Sequence, residues 1–178
     1  SDQTGNLYPD PDMRLRRYLG GGRLEQDGEW HCEYDADGNL TERYLGTGRW
    51  LDGKKDRWRY RWNADGSLAK VVRPDKREVE FTYDALGRRL SKSFGTTVTR
   101  WVWNGNVPLH QWKQHREYSV MEDRWDTDTE RRDMTVWLFD EESFVPVAML
   151  KEGRSYSILT DQLGTPTEAY DTEGNEVW

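Results

Sequence analysis

The stretch Tyr83-Asp84-Ala85-Leu86-Gly87-Arg88-Arg89-Leu90-Ser91-Lys92 decides how this chain is read, because its first five residues recur. The pattern aromatic, Asp or Asn, any, any, Gly stands also at Tyr34-Asp35-Ala36-Asp37-Gly38, at Trp62-Asn63-Ala64-Asp65-Gly66 and at Tyr170-Asp171-Thr172-Glu173-Gly174. Two degenerate copies join them: Trp103-Asn104-Gly105 is shorter, and Phe139-Asp140 lacks the glycine. From Tyr34 through Trp62, Tyr83 and Trp103 to Phe139, the aligned aromatics are separated by 28, 21, 20 and 36 residues. Self-similarity of this kind marks a repeat architecture.

The residues before each motif alternate with period two, as in a strand with one buried face. The inward set reads Trp30, Cys32, Tyr34; Trp58, Tyr60, Trp62; Val79, Phe81, Tyr83; Thr99, Trp101, Trp103; and Thr135, Trp137, Phe139. The residues between them are mostly polar, most plainly Arg57, Arg59 and Arg61, so a one-residue slip would bury a row of charge. After each aromatic, Asp or Asn can accept backbone amide hydrogen bonds and Gly can take a positive φ, which predicts a short hairpin loop. Second strands are then expected over Leu40 to Leu45, Leu68 to Val72 and Leu90 to Phe94. Successive hairpins should build one long antiparallel meander, with Tyr34, Trp62, Tyr83, Trp103, Phe139 and Tyr170 as anchors. Asp35, Asn63, Asp84 and Asp171 open the turns, and Gly38, Gly66, Gly87 and Gly174 hinge them. The charged stretch 113–134 falls inside the long interval and reads as a projecting hairpin or loop within a single 1–178 unit. Residues up to Pro11 read as the tail of a preceding repeat or a frayed end.

Hydrophobic residues make up only 34% of the 178 and charged residues 33%, which alone would lean towards disorder. Ten Trp, nine Tyr and four Phe reverse that reading, since each ring can bury roughly 150–250 Å². The core is therefore expected to be built from rings. A formal net charge of −7 disfavours nucleic acid and anionic membranes as partners. The single Cys32 excludes an internal disulfide. No apolar run spans a bilayer, and the first residues lack a signal-peptide pattern.

The ordered set from Tyr83 onward resembles the Rhs/YD-repeat family. Tyr83 to Lys92 is similar to the name-giving YD repeat, and Ser143-Phe144-Val145-Pro146-Val147-Ala148 to the opening of the Rhs repeat-associated core. Asp161-Gln162-Leu163-Gly164-Thr165-Pro166, followed by Tyr170 to Gly174, completes the resemblance. The resemblance implies an all-β fold: an antiparallel meander of YD hairpins forming a curved open sheet, a slice of a β-cocoon. It implies a structural shell segment of a bacterial polymorphic toxin that encapsulates a C-terminal toxin for contact-dependent or type VI delivery. Implied partners are the rest of the shell, its toxin and a secretion-system spike or chaperone. The implied location is the bacterial cytoplasm before export, then secretion or cell-surface delivery. Self-association through exposed sheet edges is a further expectation.

Other readings compete. Glu33, Asp35, Asp37 and Gly38 fall at EF-hand-like positions, but Tyr44 stands where the bidentate Glu belongs and Arg61 opens the second copy, so turn chemistry is preferred and no metal is expected. Lys54, Lys55, Arg57, Arg59 and Arg61 interleave with Trp58, Tyr60 and Trp62, but period two puts rings and cations on opposite faces, against a nucleic-acid grip. A carbohydrate- or cell-surface-binding module is the main alternative, and Trp101, Trp103 and Trp112 are the glycan contacts it selects. His31, His110 and His115 have no metal-ligand spacing, and no nucleophile or phosphate-binding motif occurs, so neither catalysis nor a cofactor is expected.

Overall fold

The computed structural model describes residues 6–9, 12, 15–46, 55–141 and 143–178. Much of the tail through Pro11, and Lys54 of the basic stretch, lie outside these residues. Fifteen strands are formed among the described residues: β1 (Arg16–Leu19), β2 (Arg23–Asp27), β3 (Trp30–Tyr34), β4 (Leu40–Leu45), β5 (Lys55–Trp62), β6 (Leu68–Val72), β7 (Glu78–Tyr83), β8 (Arg89–Phe94), β9 (Thr97–Asn104), β10 (Val107–Ser119), β11 (Arg124–Thr127), β12 (Arg132–Phe139), β13 (Pro146–Lys151), β14 (Arg154–Thr160) and β15 (Pro166–Tyr170). The chain divides into two compact units, Ser1–Glu80 and Phe81–Trp178, with β7 running from one into the other.

In the first unit the strands lie side by side in chain order, each antiparallel to the next. In the second the order is β8, β9, β10, β12, β13, β14, β15, again antiparallel, and β11 pairs with the far end of β10. The expected all-β meander is therefore what forms. No ladder among the described residues joins the first and last strands of either unit, so neither closes into a barrel.

Residues directly opposite across an antiparallel pair share a face. In the first unit Cys32, Arg43 and Trp58 form one cross-strand row, and Tyr60, Val71 and Val79 another. The opposite face carries Glu42, Arg59, Val72 and Glu78. Trp58, Tyr60 and Trp62 are half-buried while Arg57, Arg59 and Arg61 are exposed. Arg57 pairs with Glu42 on the neighbouring strand, so the arginine row is a solvated face that is bridged to an acid at Arg57.

One expectation needs correction. The core is not made mainly of rings: the buried apolar residues among those described are Tyr44, Val71, Val72, Val98, Trp112, Ile158 and Ala169, and the anchor rings are only half-buried. Each unit is one layer of laterally paired strands, so a ring covers its neighbours on one side and meets solvent on the other, while smaller aliphatics between strands are covered more fully. Tyr44 is buried on the charged face, stacked on His31 at 5.5 Å. The residues between the inward positions are mostly polar, with apolar exceptions. In the second unit that face carries Val102, Leu138, Leu150 and Leu159, each between 42% and 51% exposed apart from Leu150 at 41%.

The stretch 113–134 folds as the end of β10, the short β11 and the start of β12. Arg116 to Ser119 pairs with Thr127 to Arg124 as a two-stranded ribbon, a structure with little stability of its own. Arg116 anchors it: the residue is 7% exposed, its Nε donates to the Gly95 carbonyl at 2.8 Å, and its guanidinium lies 4.3 Å from the Trp125 ring centre. Arg116→Ala is expected to leave the global melt within about 2 kcal/mol of the wild type while opening the ribbon. Limited proteolysis should then cut between 116 and 130 first; unchanged cleavage would contradict this role.

Candidate functional site: the aromatic face and its turns

The turns share one closure. At the Tyr83 copy the Asp84 amide donates to the Arg88 carbonyl and the Gly87 amide to the Asp84 carbonyl, both at 3.0 Å. Asp84 Oδ1 accepts the Leu86 and Arg88 amides at 2.9 Å, and Arg88 Nε donates to Asp84 Oδ2 at 2.7 Å. The Asp35 and Asp171 turns repeat the backbone pair, and in each the side-chain oxygen accepts the amide four residues on. At Asn63 the backbone pair is kept, but the amide-accepting oxygen belongs to Asp65 and receives the Ser67 amide at 2.9 Å. Gly38, Gly66, Gly87 and Gly174 all sit at positive φ, between 76° and 87°.

Two turns with the same closure escape the sequence pattern. At Asp161 to Thr165 the preceding aromatic is replaced by Thr160, and at Arg73 to Arg77 Lys76 takes the glycine's place with φ 64°. Their faint signals are Asp161-x-x-Gly164 and Pro74-Asp75, both turn-forming pairs. Conversely, Trp103-Asn104-Gly105 is not a shortened copy. Asn104 pairs with Val107, leaving Gly105 and Asn106 as a two-residue turn with Gly105 at φ 56°.

These hydrogen bonds hold carboxyls down. The Asn39 amide lowers the Asp35 pKa, the Thr165 and Leu163 amides lower Asp161, and Asn175 lowers Asp171 through side chain and backbone. A folded pKa below the unfolded value of about 3.9 means stability that is present above that value and lost as pH falls through the folded one. The melting temperature should therefore be unaffected by these groups above about pH 5 and drop below about pH 4. A melt unchanged between pH 5 and pH 3 would contradict the assignment.

Several anchors explain why their tips are polar. Tyr34 Oη donates to the Leu24 carbonyl, Trp62 Nε1 to the Leu40 carbonyl and Trp103 Nε1 to the Arg89 carbonyl, each at 2.8 Å and each on the preceding strand. Tyr170 Oη donates to Glu168, while Tyr83 and Phe139 are half-buried on their strands. The pairing register shifts at Tyr34, Trp62 and Phe139, a bulge that adds twist where the turn begins. Arginines lie over the rings, Arg43 at 4.2 Å from Trp30 and Arg89 at 4.8 Å from Phe81.

The second unit's aromatic face holds two grooves. One, of about 420 Å³, is lined by Tyr83, Arg88, Arg89, Trp101, Trp103 and Pro108. The other, of about 410 Å³, is lined by Gln111, Thr135, Trp137, Met149, Lys151 and Tyr156 with Val177 and Trp178. Trp101 Nε1 donates to Gln111 Oε1 at 3.0 Å, linking them. Trp101 and Trp103 line one groove together, but Trp112 does not join them. A register shift between Pro108 and His110 sets Trp112 opposite Arg100, on the other face, where it is buried beneath Arg131 at 5.0 Å. Among the described residues, no three His, Cys, Asp or Glu side chains gather as a metal site. No helix there is long and apolar enough to cross a membrane.

The family model described as the teneurin YD-shell matches residues 2–177. The chain belongs to the teneurin YD-shell family. As a YD-shell segment it is similar to the double-stranded DNA deaminase toxin A of Burkholderia cenocepacia (strain H111), 30% identical over 117 residues that make up 58% of this chain and 8% of the relative. It is also similar to the probable deoxyribonuclease RhsB of Dickeya dadantii (strain 3937), 30% identical over 87 residues, 48% of this chain and 6% of the relative. The crystal structure of TcdB2-TccC3-Cdc42 matches the YD-shell fold with a TM-score of 0.56 at 9% identity, over 91% of this chain and 9% of that one. The chain thus spans less than a tenth of the length of each of these relatives. Repeat, fold and family agree on a structural shell region of the Rhs/YD-repeat type, found in toxin proteins.

Proposed function

We propose that this YD-shell segment is part of the wall of an enclosure for a C-terminal toxin, with its aromatic face turned towards the enclosed polypeptide. The observation that carries the reading is the repeated register: ring-bearing strands present one face, and the turns that set it recur from Asp35 to Asp161, whereas Tyr170, paired with Ser157 on the face of Leu138, lies off that row. A wall of laterally paired strands can be extended by further hairpins without a change of design. The toxin and nuclease names of the relatives support a toxin as the cargo, and such a protein would be made in the bacterial cytoplasm and then delivered outside the cell, by contact-dependent or type VI export. The chemistry of the cargo would reside outside these residues, whose role is containment. Protease protection tests this. In a polypeptide carrying these residues within a complete shell, the cargo should resist protease until the shell is unfolded. Cargo cut equally fast in folded and denatured samples would refute enclosure.

A further inference from the structure

Consecutive strands of the second unit run antiparallel, so its turns alternate between the two rims of the sheet. One rim carries the turns that follow β7, β9, β12 and β14, and three of them expose a large apolar side chain. Leu86 is 74% exposed, Phe144 69% and Leu163 83%. Closing these turns does not require leucine. The equivalent turns of the first unit read Ala36-Asp37 after β3 and Ala64-Asp65 after β5, with an aspartate in the place that Leu86 and Leu163 take. A lone exposed leucine is ordinary on a protein surface, but three large apolar groups along one rim form a patch. Neighbouring turns also brace one another. Arg88 Nη1 donates to the Gly105 carbonyl of the next turn, and Val145 packs so close to Gly164 that a Cβ there would lie 3.1 Å from Val145 Cγ2.

The four turns follow one another at two strand spacings, so the rim is about 29 Å long at about 4.8 Å per spacing, and about 10 Å thick. It offers about 300 Å², and contact with a like rim would cover about 600 Å² in total. That is half of the roughly 1,200 Å² at which stable interfaces between separate proteins begin. A free partner would not stay, whereas a tethered one would, because a shared chain supplies the effective concentration. Asp84, Asp140, Glu141 and Asp161 lie in the same turns and would have to enter a lipid surface with the apolar groups, which argues against a membrane. We propose that this rim is a seam, at which Leu86, Phe144 and Leu163 dock against apolar turns of another stretch of the same shell polypeptide. The proposal rests on the enclosure reading, in which a one-layer strip wound round its cargo leaves gaps wherever its windings pass unless their rims meet.

Hydroxyl-radical footprinting tests the seam on this chain alone and on a polypeptide carrying it within a complete shell. Leu86, Phe144 and Leu163 should be oxidised in the chain alone and lose that oxidation in the shell, with or without its cargo. Val102 and Leu159, exposed on the sheet's other face, should keep theirs. Rim residues oxidised alike in both samples would overturn the seam. Oxidation that returns when the cargo is left out would assign the rim to the cargo instead, and loss that extends to Val102 and Leu159 would remove the rim's distinction. The double variant Leu86→Asp, Leu163→Asp installs the residue that the first unit's turns already carry, so the chain alone should melt within about 2 °C of the wild type. In the complete shell the same variant should restore oxidation of Phe144; continued protection there would refute an apolar seam. Protease protection of the cargo reports enclosure separately: cargo cut in a folded shell with the rim still covered would refute enclosure and leave the seam, and a protected cargo with an oxidised rim would do the reverse.

Discussion

Trp62→Ala is expected to lower the unfolding free energy by about 3 kcal/mol, and Trp62→Phe by about 1 kcal/mol. The ring is half-buried on β5, and its Nε1 holds the Leu40 carbonyl at 2.8 Å, tying one hairpin to the strand before it. Alanine removes ring contact and hydrogen bond together, whereas phenylalanine keeps most of the contact. Urea denaturation of both variants against the wild type measures the difference. Equal losses would place the whole effect in the hydrogen bond and remove the argument for ring packing. Trp103, with its 2.8 Å bond to the Arg89 carbonyl, should behave in the same direction.

The second large effect concerns the turn glycines. Gly164→Val should destabilise by about 3 kcal/mol, because a β-branched residue resists φ of +81° and its Cβ would lie 3.1 Å from Val145 Cγ2. Gly87→Val meets the same backbone strain at +76° with open space around it, so its loss should be smaller, about 2 kcal/mol. The converse change is Lys76→Gly, where a lysine already occupies the left-handed region at φ 64°; it should raise stability by about 1 kcal/mol. Thermal melts of the three variants give the order. A destabilised Lys76→Gly would mean that the Lys76 side chain contributes more than the strain removes.

The repeat made most of the fold legible. Aromatic, Asp or Asn, and Gly have separate physical duties, and a five-residue pattern carrying all three leaves little else the chain can do. Where one duty passes to another residue the signal fades: Lys76 can adopt the glycine conformation, and Thr160 can replace the ring, without changing the closure. Trp112 shows a different limit. Period-two reasoning assigns faces only while pairing is unbroken, and one extra residue at Leu109 in β10 sends Trp112 to the face opposite Trp101. The half-burial of the rings was also hidden, since it depends on how many layers pack together, which composition does not encode.

The account stands on the direction in which the aromatic face points. Electron cryo-microscopy of a polypeptide in which these residues are joined to the rest of a YD shell would settle that direction. The account predicts Tyr34, Trp62, Tyr83, Trp101 and Trp137 on the wall's inner surface, against enclosed polypeptide, with Arg57, Arg59 and Arg61 outside in solvent. Rings directed outward, with the arginine row lining the interior, would contradict it.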